Sequence, residues 1–414
     1  VRALVVVLLL AAACAPRRIV SHGQVNEVAV DAVRVELPVV RQLAFTTRVP
    51  VEALSQEQIT ALVAEEIEAS YRPGDLERTE LVYGRLGLLP PGTKLRPAMQ
   101  RLYEQEGAGF YDPRTKRLVL ARSALGAGGF RVDLLGFITG RDLVGEFLVA
   151  HELTHALQDQ HWGIPTVPEP ITDAHGDREL ARRGLLEGDA TLAGFAYLGR
   201  GPLSPSAIAL VERELHGVPG ELARKYPDVP DLLRVSLAFA YDEGTTFTGT
   251  ALAEGGWVAV DRVHADPPAS TEQVLHPERY FTTRDRPVTI TLGGTAALER
   301  QGWERVLEDT LGELQIRVLA ARFLPPERAE RVAEGWGGDR LRALQQGPDV
   351  LLVWMTAWDS PDDAVEFADA MPAIAPDARV ERREDRVLVL IGPPAELDEL
   401  PAAVWSKTAL RRES

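Results

Sequence analysis

Cysteine occurs once in this 414-residue chain, methionine three times and histidine eight times. A single thiol excludes an intramolecular disulfide, so stability has to come from packing. Long cationic runs are missing as well. Lys and Arg total 45 against 61 Asp and Glu, a net charge of −16, and no basic block is long enough to track a phosphate backbone. Nucleic acid is excluded as a partner on that ground, because binding it depends on neutralising phosphates with cations. No segment repeats with a period of about 20–50 residues, which argues against a solenoid or a propeller. The longest apolar run, Ala3 to Ala13, falls well short of the roughly 20 residues that span a bilayer.

What the chain does have is the balance of a folded protein, 45% apolar and 26% charged. Its length predicts more than one packed region. The N-terminal run follows Arg2 and is followed directly by Cys14, the length and order of a secretory signal. Leu10-Ala11-Ala12-Ala13-Cys14 resembles a bacterial lipobox, with Ala11 where a larger aliphatic residue is commoner. The resemblance implies acylation at Cys14 and a lipid anchor at the bacterial envelope, with residues 15–50 as tether and linker. Cleavage after Ala13 without lipidation, leaving a soluble secreted or periplasmic protein, is the alternative.

From Ser55 the spacing of Ile59, Leu62, Val63 and Ile67 predicts a capped amphipathic helix, and a second is expected over residues 98–106. Gly109-Phe110-Tyr111-Asp112-Pro113 and Arg117-Leu118-Val119-Leu120-Ala121 flank a turn and read as a hairpin. Helices are expected from Asp142 past His155, over 177–197 and over 243–253, with Pro- and Gly-rich joints at 163–170, 199–205 and 217–230. Beyond about 285 the texture alternates, with strands at 350–357 and 386–391 around a helix at 362–371. The expected fold class is α+β: a mostly helical region over 51–285 with a small edge-strand sheet, then a C-terminal α/β or α+β region over 286–414.

His151-Glu152-Leu153-Thr154-His155 is an H-E-x-x-H pattern in a helical context. Positions four apart share a helix face, so both imidazoles can reach one metal ion, with Glu152 beside it as a general base for a metal-activated water. The apolar flank Phe147-Leu148-Val149-Ala150 packs this helix into a core rather than leaving the histidines on a surface. A catalytic zinc site takes three protein ligands and keeps one position open. Two residues compete for the third place. His161 has the metzincin spacing, yet Gln158 stands where that pattern turns the chain with Gly, and no Met-turn is evident. Glu187 lies 32 positions beyond His155 on a separate predicted helix, where a carboxylate among Leu185, Leu186 and Ala190 needs a partner or a metal.

These motifs resemble those of the gluzincin superfamily, whose best-known members are thermolysin and the zinc aminopeptidases. The resemblance spans residues 151–257 and implies a zincin-like fold, Zn²⁺ held by His151, His155 and Glu187, and protein or peptide as substrate. Ala240-Tyr241-Asp242-Glu243-Gly244 is similar to the Tyr-Glu-x-Gly segment of the aminopeptidase branch, which implies that Tyr241 steadies the oxyanion. There is no Gly-x-Met-Glu-Asn for gripping a free N-terminus, so an endopeptidase is expected. Thr191 stands where the thermolysin branch has an Asp behind a zinc-bound histidine, leaving Asp177 and Asp189 as candidates for that role. The chain as a whole also resembles bacterial envelope lipoproteins, which share Gly109 through Pro113, His151 through Gln158, Glu187 through Thr191, Ser270 through Gln273 with His276-Pro277, and Gly335 through Arg340.

Four further expectations concern placement. His276 and His264 are possible cleft residues, each a potential second oxyanion donor. Strand 117–121 takes the place where gluzincins put the edge strand that pairs with an extended substrate. Trp336, Asp339 and Arg340 in a Gly-rich stretch read as a structural corner. The alternative to a peptidase is an envelope-anchored zinc-binding or assembly protein with an inactive or latent fold.

Overall fold

The computed structural model describes residues 18–106, 108–122 and 141–412; Cys14 and the whole leader lie outside the described residues. The first helix, α1 (Glu27–Arg41), is capped by Asn26 and buries Val30, Val33, Leu37 and the side chain of Arg41. Strand β1 (Val51–Leu54) leads to α2 (Gln56–Ser70). The expected cap takes the form of a capping box, with Ser55 and Gln58 each satisfying the other's backbone N–H. Helices α3 (Asp75–Leu86) and α4 (Leu95–Glu106) follow, and α4 starts three residues earlier than expected.

The hairpin consists of β2 (Gly109–Asp112) and β3 (Arg117–Ala121). Its turn is built by Asp112, whose carboxylate accepts from the backbone N–H groups of Arg114 and Thr115 at 2.8 and 3.2 Å. Strand β1 pairs parallel with β3, so the sheet order is β1-β3-β2. This corrects the expectation for residues 117–121. Both edges of that strand are occupied, and the strands at the edges are β1 and β2.

Helix α5 (Leu143–Trp162) begins at Asp142, which accepts from the Gly145 N–H at 3.1 Å and from the Ile19 N–H at 2.9 Å. It packs against α6 (Gly176–Gly199), and α6 packs against α7 (Asp231–Ala265). α7 is much longer than the expected 243–253 and is kinked at Gly255-Gly256, where Gly256 takes φ 64°. The joint at 217–230 contains a short helix, Val218–Lys225. The approach of α6 and α7 depends on glycine. A Cβ on Gly188 would lie 2.1 Å from the Gly244 carbonyl oxygen, and one on Gly244 would lie 2.3 Å from the Gly184 carbonyl oxygen.

The C-terminal part is an antiparallel sheet of β5 (Glu304–Asp309), β6 (Trp336–Gln346), β7 (Asp349–Trp358), β8 (Arg379–Arg383) and β9 (Arg386–Ile391), ordered β8-β9-β7-β6-β5. A short strand β4 (Thr289–Thr291) pairs with β10 (Ala409–Arg411) apart from it. Alternation along β7 divides its side chains: Leu352, Trp354 and Trp358 join the core of α2–α4, whereas Leu351, Val353 and Met355 join Ile290 and Val404 on the other face. One hydrophobic core therefore runs across residue 285, from Ile59 to Ile391. The class is α+β.

Candidate metal centre

Helices α5 and α6 bring His151, His155 and Glu187 to one point. His151 Nε2 lies 3.1 Å from Glu187 Oε2, His155 Nε2 lies 3.4 Å from the same oxygen, and the two imidazole nitrogens are 3.2 Å apart. Donors about 2.0–2.1 Å from a tetrahedral zinc stand about 3.3 Å from one another. The triangle thus has the edges of one face of such a site, and the group can hold a metal ion.

Without a metal the same atoms form an ion pair. Burial opposes charge on both partners. Even so, Glu187 pushes His155 up to about 9, and His155 with His151 holds Glu187 well below the usual carboxylate range. A metal would replace that proton, since it needs both nitrogens unprotonated.

The two histidines are oriented differently. His155 Nδ1 lies 2.8 Å from Gln158 Oε1. The Gln158 amide nitrogen donates to the Leu186 carbonyl at 2.9 Å and to Asp189 Oδ2 at 3.0 Å. Both of those partners only accept, which fixes the amide orientation and requires the proton of His155 on Nδ1. Nε2 is left as the ligand atom. Asp189 is itself pinned by Arg41, at 2.7 and 3.2 Å, and by His264 Nε2 at 2.8 Å. Trp162 stacks on His264 with centroids 4.2 Å apart. His151 Nδ1, by contrast, is buried with no hydrogen-bond partner among the described residues, and its ring sits between Phe147 and Tyr241, each 6.0 Å away.

Glu152 is buried next to this group and accepts from the Tyr111 N–H of β2 at 2.8 Å. Burial raises its pKa, against the pull of His151 and His155. One strand turn is tied to the helix twice, since the Tyr111 hydroxyl also donates to Asp159 at 2.6 Å. Tyr241 reaches Glu187 from α7, and burial followed by the Glu187 charge holds its hydroxyl well above the ordinary tyrosine value.

His155, Glu187, Glu152, Tyr111 and Tyr241 line a cavity of about 500 Å³, together with Phe110, Tyr71, Tyr103, Arg183 and Leu237. A larger cavity of about 720 Å³ adjoins it through Glu66, Ser70, Tyr71 and Met99. It contains none of the metal group, so the chemistry belongs to the smaller one.

Several sequence candidates fall elsewhere. His161 points to the Ala44 carbonyl at 2.8 Å and is outside the metal group. His276 pairs with Glu313 at 3.0 Å and is not among the cavity-lining residues. His264 supports Asp189 from behind the site. Asp177 accepts from the Thr271 N–H and hydroxyl, at 2.9 and 2.5 Å, and has no bond to either histidine. Gln158 and Arg183 were not singled out for this site from the sequence. The available signal was spacing alone: Gln158 is three residues past His155, and Arg183 is four before Glu187.

A family model described as a domain of unknown function, DUF8575, matches residues 299–401, which cover the antiparallel sheet and none of the metal group. No curated protein and no solved structure matches the chain.

Proposed function

We propose that the chain is a zinc-dependent peptidase of the gluzincin type with a zincin-like catalytic region, exported and anchored at the bacterial envelope through Cys14. The observation that carries the reading is the His151–His155–Glu187 triangle, with Glu152 beside it in a cavity. Among the described residues the group offers three donors rather than the four that close a structural zinc site. Zinc held there would supply Lewis acidity, polarising a carbonyl and making an attacking hydroxide available near neutral pH.

The protein's own groups do the rest. Glu152, steadied by the Tyr111 N–H, takes the proton of the attacking water and returns it to the leaving amine. The Tyr241 hydroxyl, kept protonated by burial and by Glu187, donates to the oxyanion. Among the described residues β2 is an edge strand, and its Phe110 and Tyr111 line the cavity, which suits an extended peptide. The lipid anchor rests on the leader sequence alone.

The test combines zinc content with cleavage of casein or a peptide library. The wild type is expected to bind one zinc and cleave. Glu152→Gln should keep the zinc and lose at least ~10³-fold in kcat/KM, general-base removal compounded by a misplaced water. Glu187→Ala should lose the metal. Full zinc in Glu187→Ala would reject this ligand set, and zinc binding without cleavage by the wild type would favour a binding or assembly protein.

A further inference from the structure

Arg183 projects from α6 into the cavity one helical turn before Glu187. Its guanidinium lies over the Tyr103 ring, 6.0 Å from the centroid. No described carboxylate forms an ion pair with it. Glu187 acts on it only through space, because that carboxylate is committed to the two histidines. Among the described residues, other buried or half-buried arginines do have such a partner: Arg41 has Asp189 and Asp261, Arg340 and Arg342 share Glu308, and Arg141 has Glu146. Arg183 is half-buried at the cavity wall, and its planar fork matches a carboxylate in two hydrogen bonds. Metal in the adjacent triangle would offset the charge of Glu187 and leave this end of the cavity cationic.

We propose that Arg183 is the receptor for a carboxylate of the bound peptide, either its C-terminal carboxylate or an acidic side chain next to the scissile bond. The peptide as ligand rests on the peptidase reading. The receptor itself rests on Arg183 and Tyr103.

Thiol-headed probes test it by calorimetry on the zinc-loaded full chain. Mercaptoacetyl-leucine is compared with its amide, and mercaptoacetyl-glutamic acid α-amide with the matching glutamine compound. The wild type should bind one carboxylate form at least ~10-fold tighter than its neutral partner. A gain in the first pair identifies the C-terminal carboxylate, and a gain in the second identifies the side chain. Arg183→Met should remove the gain while keeping zinc content, and Arg183→Lys should retain part of it. Equal binding within both wild-type pairs, or an undiminished gain in Arg183→Met, overturns the proposal. A wild type with the carboxylate preference but no cleavage of any peptide loses the peptidase reading and keeps the receptor. Cleavage without the preference does the reverse. If no zinc is taken up, acetyl-leucine against acetyl-leucinamide carries the same comparison without a metal.

Discussion

Asp189, among the helices, and Asp339, under the antiparallel sheet, are both carboxylates closed off from water. Asp339 accepts from four neutral donors: the Leu311 and Gly312 N–H groups at 3.1 and 2.9 Å, and the Trp336 and Trp354 indoles at 3.0 Å each. Burial nevertheless raises its pKa. Asp189 faces the same burial but has the charge of Arg41 and the ring of His264, and its pKa falls well below the usual range. Neutral donors fill the lone pairs of a buried carboxylate without offsetting the loss of hydration, whereas an adjacent cation does both. The consequence is a division of labour. Asp339 pins β6, β7 and the start of the helix Gly312–Ala321 together, while Asp189 is a fixed anion that sets the Gln158 amide and through it the His155 ring.

The comparison breaks first on Asp339→Ala, which strands four buried donors at once. At about 1–3 kcal/mol each, the expected loss is about 4 kcal/mol or more in urea unfolding, with zinc content unchanged in whatever fraction stays folded. A variant that unfolds normally but loses zinc would show that the two regions are not independent.

Asp189→Ala comes next, at about 3–5 kcal/mol, because Arg41 keeps only the half-exposed Asp261 as a partner. Here the metal should also weaken, and chelator competition separates the two effects. An unaltered zinc affinity would deny Asp189 any part in orienting His155.

Gln158→Met isolates that link. Zinc affinity should fall by about 10–100-fold with a stability change of about 1 kcal/mol, since only the orienting hydrogen bonds are removed. Equal zinc affinity in this variant and the wild type would mean that helix packing alone holds the ring.

The smallest effect concerns Asp177, at the joint between the two regions, where burial pushes the carboxyl up to about 8. Its folded pKa lies above the ordinary value of 3.8, so the folded chain keeps a proton that the unfolded chain releases between those values. Its contribution to stability should therefore fall as pH rises from about 4 towards 8. Asp177→Asn, which keeps the acceptor for Thr271, should match the wild type near pH 4. It should exceed the wild type by on the order of 1 kcal/mol near pH 8, the pocket's relaxation having absorbed much of the nominal shift. A difference that does not change with pH would mean the carboxyl is ionised throughout.

Much of the local structure was legible in the sequence. The Ser55–Gln58 capping box, the Asp112 turn and the Asp142 cap are interactions within a few residues, so they can be read from short strings. The same holds for His151, Glu152 and His155, whose common face follows from the helical repeat. The extent of α7 was not legible. Gly244, Gly249, Gly255 and Gly256 break the pattern that marks a helix, and only packing against α6 gives those glycines a reason to be helical or kinked. His276 was misplaced for a related reason, because its partner Glu313 lies 37 positions away.

Short stretches of residues suffice for the H-E-x-x-H helix, the hairpin and the α+β texture, because backbone hydrogen bonding and side-chain periodicity are local. The packing of α5 against α6 brings Glu187 rather than His161 into the donor group. The tertiary structure also placed residues 117–121 inside the sheet with 109–112 at one of its edges, and turned Arg183 to the cavity with no ion-paired carboxylate among the described residues. Each of those depends on how closely two elements approach. At the α6–α7 contact that distance is set by glycines whose missing side chains no local pattern records.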